Sequence, residues 1–342
     1  LNAINIIFFS DTHLGFDYPL RPRVNKRRRG EDFFNNFETV LSYAKTKQCD
    51  LVIHGGDLFF RSKLSQHIVD RVYQTLTNFV SSGIPICIVP GNHERSCLPI
   101  SLFLIHPLIH VFNYPKIITL KVHGARINVG GFPFSKGDIN KAFLSELKQS
   151  GWYDLDAHIK ILALHQAIEG ATVGPANYTF RNGEDVLTRY SLPDDAMLIL
   201  CGHIHRQQIL KKQIRGTSAY LPIIFSGSIE RTSFAEMDEK KGFYHLTFDL
   251  IKSDKWYLKK SKFISLPTRP MQDIYIDEDL SISRSLSHIK KTIIQLDPNS
   301  IIRFKSHKPI RADLAKIFTI NKLNQLIPAS INFTFDSRFF QH

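Results

Sequence analysis

Short apolar runs alternate with longer stretches of helical periodicity from Ile4 to Cys201, and this alternation restricts the fold more than any other feature. Ile4–Phe9, Leu51–His54, Ile84–Val89, Ile161–Leu164 and Leu198–Cys201 read as buried strands, being rich in Ile, Val and Leu and bounded by turn residues. Between the first two, Glu31–Lys47 places Phe33, Phe34, Phe37, Val40, Leu41 and Ala44 at helical spacing. Ser65–Ser81 repeats the pattern with Ile68, Val69, Val72, Leu76, Phe79 and Val80. Strand, helix, strand, helix implies an α/β layered architecture.

After Gly202 the pattern changes to strands joined by short turns, at Gln207–Lys211, Leu221–Ser226, Gly242–Asp249 and Trp256–Phe263. Leu266-Pro267-Thr268-Arg269-Pro270 then reads as a boundary, because two prolines cannot sit inside a regular ladder. Beyond it the pattern predicts a small β-α-β-α-β unit: Gln272–Ile276, Leu280–Ile294, Ser300–Lys305, Ala312–Leu326 and Ile331–Phe335. Two domains are expected, residues 1–266 and 267–342. No run of about 18 apolar residues exists to span a membrane. The start lacks a basic n-region and reads as a first strand rather than a signal peptide. Cys49, Cys87, Cys97 and Cys201 form no CxxC pair, which points away from a disulfide framework and toward a reducing, cytoplasmic setting.

Charge raises the first functional question. The chain holds 44 Lys+Arg against 31 Asp+Glu, a formal +13, and a basic balance favours a polyanion, nucleic acid or an anionic membrane surface. Residues 251–342 hold 16 Lys+Arg against 8 Asp+Glu, a net +8, leaving 28 against 23 for residues 1–250, a net +5. A second concentration is local: Arg21, Arg23, Lys26, Arg27, Arg28 and Arg29 lie beside Pro19 and Pro22. That run reads equally as a solvated loop or as a grip on a phosphate backbone. Among the nearby aromatics, Phe33 and Phe34 fit the helix core, whereas Tyr18 is the better candidate to meet a nucleotide.

The residues that carry chemistry lie at strand ends. Asp11-Thr12-His13 follows the first strand, Gly55-Gly56-Asp57 the second and Gly91-Asn92-His93-Glu94 the third. His165 closes the run Ile161–Leu164, and Gly202-His203-Ile204-His205 closes Leu198–Cys201. In open α/β sheets ligands gather at the carboxyl ends of the strands, so the five runs deliver Asp, His and Asn side chains to one rim. Each element alone has a bland explanation as a turn; together they form a set of hard or borderline metal ligands.

Asp11-x-His13, Gly56-Asp57, Gly91-Asn92-His93, His165 and Gly202-His203-x-His205 resemble the five-part signature of the calcineurin-like metallophosphoesterases. Ser10-Asp11-Thr12-His13-Leu14-Gly15, His54-Gly55-Gly56-Asp57-Leu58-Phe59 and Leu164-His165-Gln166 resemble, more narrowly, the SbcD-type DNA repair exonucleases. These are the nuclease subunits of the double-strand-break repair complex. The resemblance covers about residues 1–250 and implies a four-layer fold, two mixed sheets sandwiched by helices. The unit after Pro270 is similar to that subgroup's DNA-capping domain.

The resemblance implies two metal sites, one using Asp11, His13, Asp57 and His205, the other Asp57, Asn92, His165 and His203, with Asp57 bridging. Such ligands suit Mn²⁺, Fe or Zn rather than Ca²⁺, and in the subgroup the metal is usually Mn²⁺. Two such cations lower the pKa of a bound water and clamp phosphate oxygens. His93 matches the general acid that protonates the leaving group; the plainer reading is a supporting residue. The sequence departs from the pattern at Phe60, where those nucleases usually have a His thought to position the DNA phosphate; Arg61 follows it as a second donor candidate. Glu94 stands where many relatives have Asp. The expectation is a dinuclear-metal DNA nuclease of repair, end processing or defence, with DNA as partner and Arg21, Arg23, Lys26, Arg27, Arg28, Arg29 and Arg61 as candidate contacts. No ATPase-docking segment is legible, so an SMC-like ATPase, a helicase, a second copy or solitary action all stay open. The alternatives are a small-nucleotide or cyclic-nucleotide phosphodiesterase, and a DNA-end-binding scaffold with weak catalysis.

Overall fold

The computed structural model describes residues 3–17, 27–95, 97–99, 106–251 and 255–340. It contains two compact units: Leu1–Phe16, Asp32–Arg231 and Asp238–Pro267 form one, and Asp17–Glu31, Thr232–Met237 and Thr268–His342 the other. In chain order the elements begin β1 (Ile4–Phe9), α1 (Gly30–Thr46), β2 (Leu51–His54), α2 (Gln66–Val80), β3 (Ile86–Ile88) and β4 (Ile109–Val111). The hairpin β5 (Lys116–Val122) and β6 (Ala125–Gly131), α3 (Ile139–Gln149) and β7 (Ile159–His165) follow. Four two-residue strands come next, β8 (Ala167–Ile168), β9 (Thr172–Val173), β10 (Tyr178–Thr179) and β11 (Val186–Leu187). The first unit closes with β12 (Leu198–Gly202), β13 (Gln208–Gln213), β14 (Tyr220–Phe225), β15 (Gly242–Ile251) and β16 (Lys255–Ser265).

Among the described residues these strands build two six-stranded sheets, ordered β16-β15-β1-β2-β3-β4 and β13-β14-β12-β7-β6-β5. Both are mixed. The parallel run β1-β2-β3-β4 adjoins antiparallel β15 on one side, and β6-β7-β12-β14 lies between antiparallel β5 and β13.

The period-2 alternation of strand side chains sets the layers. Ile7 and Phe9 of β1, with Val52 of β2, meet Phe33, Phe37 and Val40 of α1 and Val72, Leu76 and Phe79 of α2. Ile4, Ile6 and Phe8 point the other way, into a core shared with Val129 of β6, Ile161 of β7 and Leu200 of β12. The far side of the second sheet, through Leu162, Leu164, Ile199 and Phe225, packs on Phe143 and Leu147 of α3 and on Trp152. The order is helix, sheet, sheet, helix: a four-layer α/β fold.

One expectation needs correcting. The five ligand-bearing strands do not line one rim of one sheet: β1, β2 and β3 belong to the first sheet, β7 and β12 to the second. The elements between them, β4, β5, β6 and α3, escape the sequence pattern. β4 has three residues, β5 carries Lys116 and Lys121, and α3 shows only Ile139, Phe143 and Leu147 as buried positions.

The second unit holds a parallel sheet ordered β17 (Met271–Tyr275), β18 (Ile301–Lys305) and β19 (Asn332–Phe335), with α4 (Ile282–Gln295) between the first two strands. Its core gathers Ile274, Ile289, Phe304, Leu314, Phe318 and Phe339. The helix expected over Ala312–Leu326 is two, α5 (Ala312–Ala315) and α6 (Ile320–Leu326). Thr319 breaks it by leaving the helical region and capping α6, its side chain accepting from the Lys322 amide. Among the described residues no helix is long and apolar enough to cross a membrane, and the four cysteines are free.

The inter-sheet core makes a direct prediction. Phe8→Ala should lower stability by about 3–5 kcal/mol in urea unfolding, because it empties a large site between two sheets. A loss under about 1 kcal/mol would contradict that packing.

Candidate metal centre

The loops that carry the ligand-type residues are continuations of the sheets. After β1 and β2 end, their chains stay paired: Asp11 N donates to Gly56 O (2.8 Å), His13 N to Asp57 O (3.0 Å) and Leu14 N to Leu58 O (2.9 Å). Thr12 Oγ1 donates to Leu58 O (2.9 Å) and lies 3.1 Å from His54 Nε2, while His54 Nδ1 accepts from Gly56 N (3.2 Å). Asp11, His13, Asp57 and His203 adopt left-handed φ values of 52°, 45°, 53° and 79°. Asp and His tolerate that region better than most residues, yet each such position costs on the order of 1 kcal/mol and persists only because neighbours enforce it.

Asp57 stands at the middle. Its Oδ1 accepts from His93 N (2.9 Å), and its Oδ2 lies 3.3 Å from His165 Nε2 and 3.8 Å from His93 Nε2. His165 Nδ1 donates to Gly55 O (2.8 Å), which turns Nε2 inward, 2.9 Å from Asn92 Oδ1. His203 Nδ1 meets the same Asn92 oxygen at 2.9 Å, and His203 N donates to Asp11 Oδ1 (3.1 Å). His205 Nε2 lies 3.8 Å from that Asp11 oxygen and 2.9 Å from His13 Nε2. All seven expected ligands are therefore brought together, with His93 beside them.

Two glycines make the room. A Cβ on Gly91 would sit 2.1 Å from Asp57 Oδ1, and one on Gly56 2.1 Å from His165 Nδ1. Glu94 does more than its position as an Asp replacement suggested. Buried, it accepts from Phe59 N and Gly91 N, both at 2.7 Å, and so ties the loop after β2 to the loop after β3. The Gly91-x-x-Glu94 spacing was the available signal for that clamp.

The electrostatics of the centre are governed by Asp57 and His165. Burial pushes the Asp57 carboxyl up, but His165 beside it prevails and holds it well below the usual carboxylate range. Burial likewise pushes His165 down, while Asp57 lifts it to about 9. Burial, then His165, drives His203 down to about 3, so it stays a neutral imidazole with one ring nitrogen able to donate its lone pair. The facing Nε2 atoms of His13 and His205, 2.9 Å apart, can share a proton or jointly ligate a cation. Among the described residues three groups have ligand atoms within 4.8 Å of one another: Asp11, His13 and His205; His13, Asp57 and His93; Asp11, Asp57 and His165. Imidazole, carboxylate and amide oxygen without thiolate form a donor set that fits divalent transition metals.

The other candidates are placed differently. His93 donates through Nδ1 to Phe60 O (2.7 Å), and the Phe60 ring lies 6.1 Å from His13 and 5.7 Å from His93, centroid to centroid. Arg61 is exposed. Tyr18, Arg21, Arg23 and Lys26 lie outside the described residues. Arg27 bonds Asn299 Oδ1 (2.6 Å), and Arg28 pairs with Asp17. Arg29 is only 4% exposed, which corrects its reading as a phosphate contact: a guanidinium so buried does not face a polymer.

Comparison with known proteins agrees with this chemistry. The model of the family described as calcineurin-like phosphoesterase matches residues 4–207, and the chain belongs to that family of metal-dependent hydrolases, whose members use two divalent ions. The chain is 24% identical over 296 residues to the DNA double-strand break repair protein Mre11 of Archaeoglobus fulgidus, covering 79% of this chain and 61% of that one. It is 27% identical to Mre11 of Methanocaldococcus jannaschii (83% and 73%) and 23% identical to a subunit of the nuclease SbcCD of Bacillus subtilis (70% and 67%). The chain thus spans less than two thirds of the first of these relatives.

Gly91→Ala tests the fit of the pocket. It should weaken Mn²⁺ binding by at least about 10-fold in calorimetric titration, since the methyl displaces the Asp57 carboxylate. Unchanged binding would remove Asp57 from the ligand set.

Proposed function

We propose that the chain is a dinuclear-metal-dependent DNA nuclease that hydrolyses phosphodiester bonds during the processing of DNA ends. The observation that carries this reading is the convergence of Asp11, His13, Asn92, His165, His203 and His205 around the buried Asp57, drawn from five loops and two sheets. The formal charge of +13 and relatives named for DNA repair support DNA as the substrate.

Asp11, His13, Asp57 and His205 would hold one ion, and Asp57, Asn92, His165 and His203 the other, with Mn²⁺ the preferred metal. When bound, such a pair supplies an activated water and charge neutralisation for the phosphate. The chain's own groups do the rest. Gly55 O fixes the His165 tautomer, and Asp11 Oδ1 fixes the His203 backbone, so the donors are preorganised. His93 acts as the general acid: with Nδ1–H held by Phe60 O, the proton delivered to the leaving oxygen travels from Nε2. Phe60 presents a ring where a donor would grip the phosphate, which leaves that task to the exposed Arg61. Residues 267–342 are read as a DNA-binding cap. The Bacillus relative is named as one subunit of a larger nuclease, which supports a partner for this chain, an SMC-like ATPase or a helicase.

The test is a substrate panel. With Mn²⁺, linear duplex, single-stranded and closed circular DNA are compared with a small phosphodiester. Cleavage of DNA is expected; turnover of the small diester alone overturns the DNA reading in favour of a small-nucleotide phosphodiesterase. Asp57→Ala should abolish turnover on every substrate, and substantial residual activity would refute the metal assignment. His93→Ala should slow cleavage by about 10²–10⁴-fold while Mn²⁺ stays bound, as loss of a general acid requires.

Phe60→His probes the departure from the family pattern. Adding a donor at the rim should raise release of mononucleotides from DNA ends relative to internal cutting, read from end-labelled product ladders. An unchanged ladder would show that Arg61 or a neighbour already performs that grip.

A further inference from the structure

The free edge of the second sheet carries a second cationic feature, at the end of β13 away from the metal-centre loops. A cavity of about 560 Å³ there is lined by Arg189, Tyr190, Lys211, Lys212, Arg215 and Tyr220, among others, and no carboxylate lines it among the described residues. That volume falls within the range of about 300–1,000 Å³ in which proteins seat small ligands or single residues of a polymer.

The lining residues divide by what already holds them. Lys212 is buried and takes Asp194 (2.7 Å) together with the carbonyl of Leu192, so it serves the fold. Lys211, its neighbour on the opposite strand face, is exposed. Arg189 Nη1 donates to Lys211 O (3.2 Å), which covers the free strand edge and blocks sheet extension there. Arg215 donates to Tyr190 O (2.8 Å) and lies 3.3 Å from Asp194, yet its side chain remains 71% exposed. Tyr190 and Tyr220 are 77% and 58% exposed, unusual for aromatics lining a cavity. Exposed tyrosines interleaved with Lys and Arg offer ring faces for bases and cations for phosphates, which is how single strands are held without sequence preference.

We propose that this cleft is a secondary binding site for single-stranded nucleic acid, with bases against Tyr190 and Tyr220 and phosphates on Lys211, Arg215 and Arg189. The identification of the polyanion as nucleic acid rests on the nuclease reading above. β13 begins three residues after His205, and the cleft-lining Lys211, Lys212 and Gln213 lie about 10–17 Å beyond its start at the strand rise per residue. A strand seated here is therefore held apart from the metal centre rather than within it.

The experiment measures fluorescence anisotropy of a labelled phosphorothioate oligothymidylate with the full chain in Mn²⁺, over a series of salt concentrations. The Lys211→Ala, Arg215→Ala double variant should bind about 10-fold more weakly and lose about 1.4 units of salt slope, roughly 0.7 for each single-strand phosphate contact. Tyr220→Ala should weaken binding about five-fold or more, and Tyr220→Phe should restore it, since stacking needs the ring and not the hydroxyl. Hydrolysis of a small phosphodiester should stay at the parent rate in all of these variants. Parent-like affinity and salt slope in both the double variant and Tyr220→Ala overturn the proposal, even if the parent chain cuts DNA. Weakened binding in the variants upholds it even if the parent proves inactive on DNA, so the two readings fail separately.

Discussion

A carboxylate removed from water stays ionised only beside positive charge, and Asp57 is the carboxylate on which the centre is built. It is almost fully buried, sits on a left-handed turn, and is pinned through Oδ1 by the His93 amide. Protein charge alone answers it by raising the proton affinity of His165, its nearest imidazole. The surrounding features hold that carboxylate in place: Gly91 leaves space for Asp57, Glu94 clamps the two loops around it, and the β1 and β2 loops stay hydrogen-bonded to each other.

The two-sheet construction serves the same end. Donors from a single sheet edge would lie along one line, whereas a dinuclear centre needs them from several directions. The inter-sheet core of Ile6, Phe8, Ile53, Ile161 and Leu200 brings the carboxyl ends of β1, β2 and β3 opposite those of β7 and β12. Within the second sheet, Gly202 and His165 are cross-strand partners, so His165 and His203 enter the site side by side. A Cβ on Gly202 would meet Gly55 O at 2.2 Å, which shows how closely the two sets of loops approach. Packing energy and ligand geometry are thus two consequences of one alternating strand pattern.

The positive charge separates into structural and available parts. Arg269 is buried and donates to Asn332 Oδ1 and the carbonyls of Asn299 and Ser330; Arg303 forms a two-bond pair with Asp273. Arg28 and Lys212 are similarly engaged. What remains exposed includes Arg61, next to the centre-lining Phe60, Lys211 on β13 and Arg215 in the turn that follows it. Net charge alone therefore overstates the cationic surface, and the exposed residues locate it.

Strand by strand, much of this was readable in advance. Apolar runs ending in Asp-x-His, Gly-Gly-Asp, Gly-Asn-His, His and Gly-His-x-His announce strands with ligands at their ends, because alternation and turn chemistry are local properties. The β-α-β-α-β pattern of the second unit was equally local, apart from the break at Thr319, where a capping side chain overrode helical spacing. The partition of the five strands between two sheets was not readable, since β7 pairs with β6 and β12 through contacts remote in sequence. Nor were the engagement of Arg28 by Asp17, the burial of Arg29, the Glu94 clamp or the grouping of Tyr190 with Tyr220 beside the far end of β13. Residue order alone established which side chains could serve as ligands and which strands would present them. Where those donors meet, and which cations stay free, was left to the folded chain, because both depend on burial and pairing between distant segments.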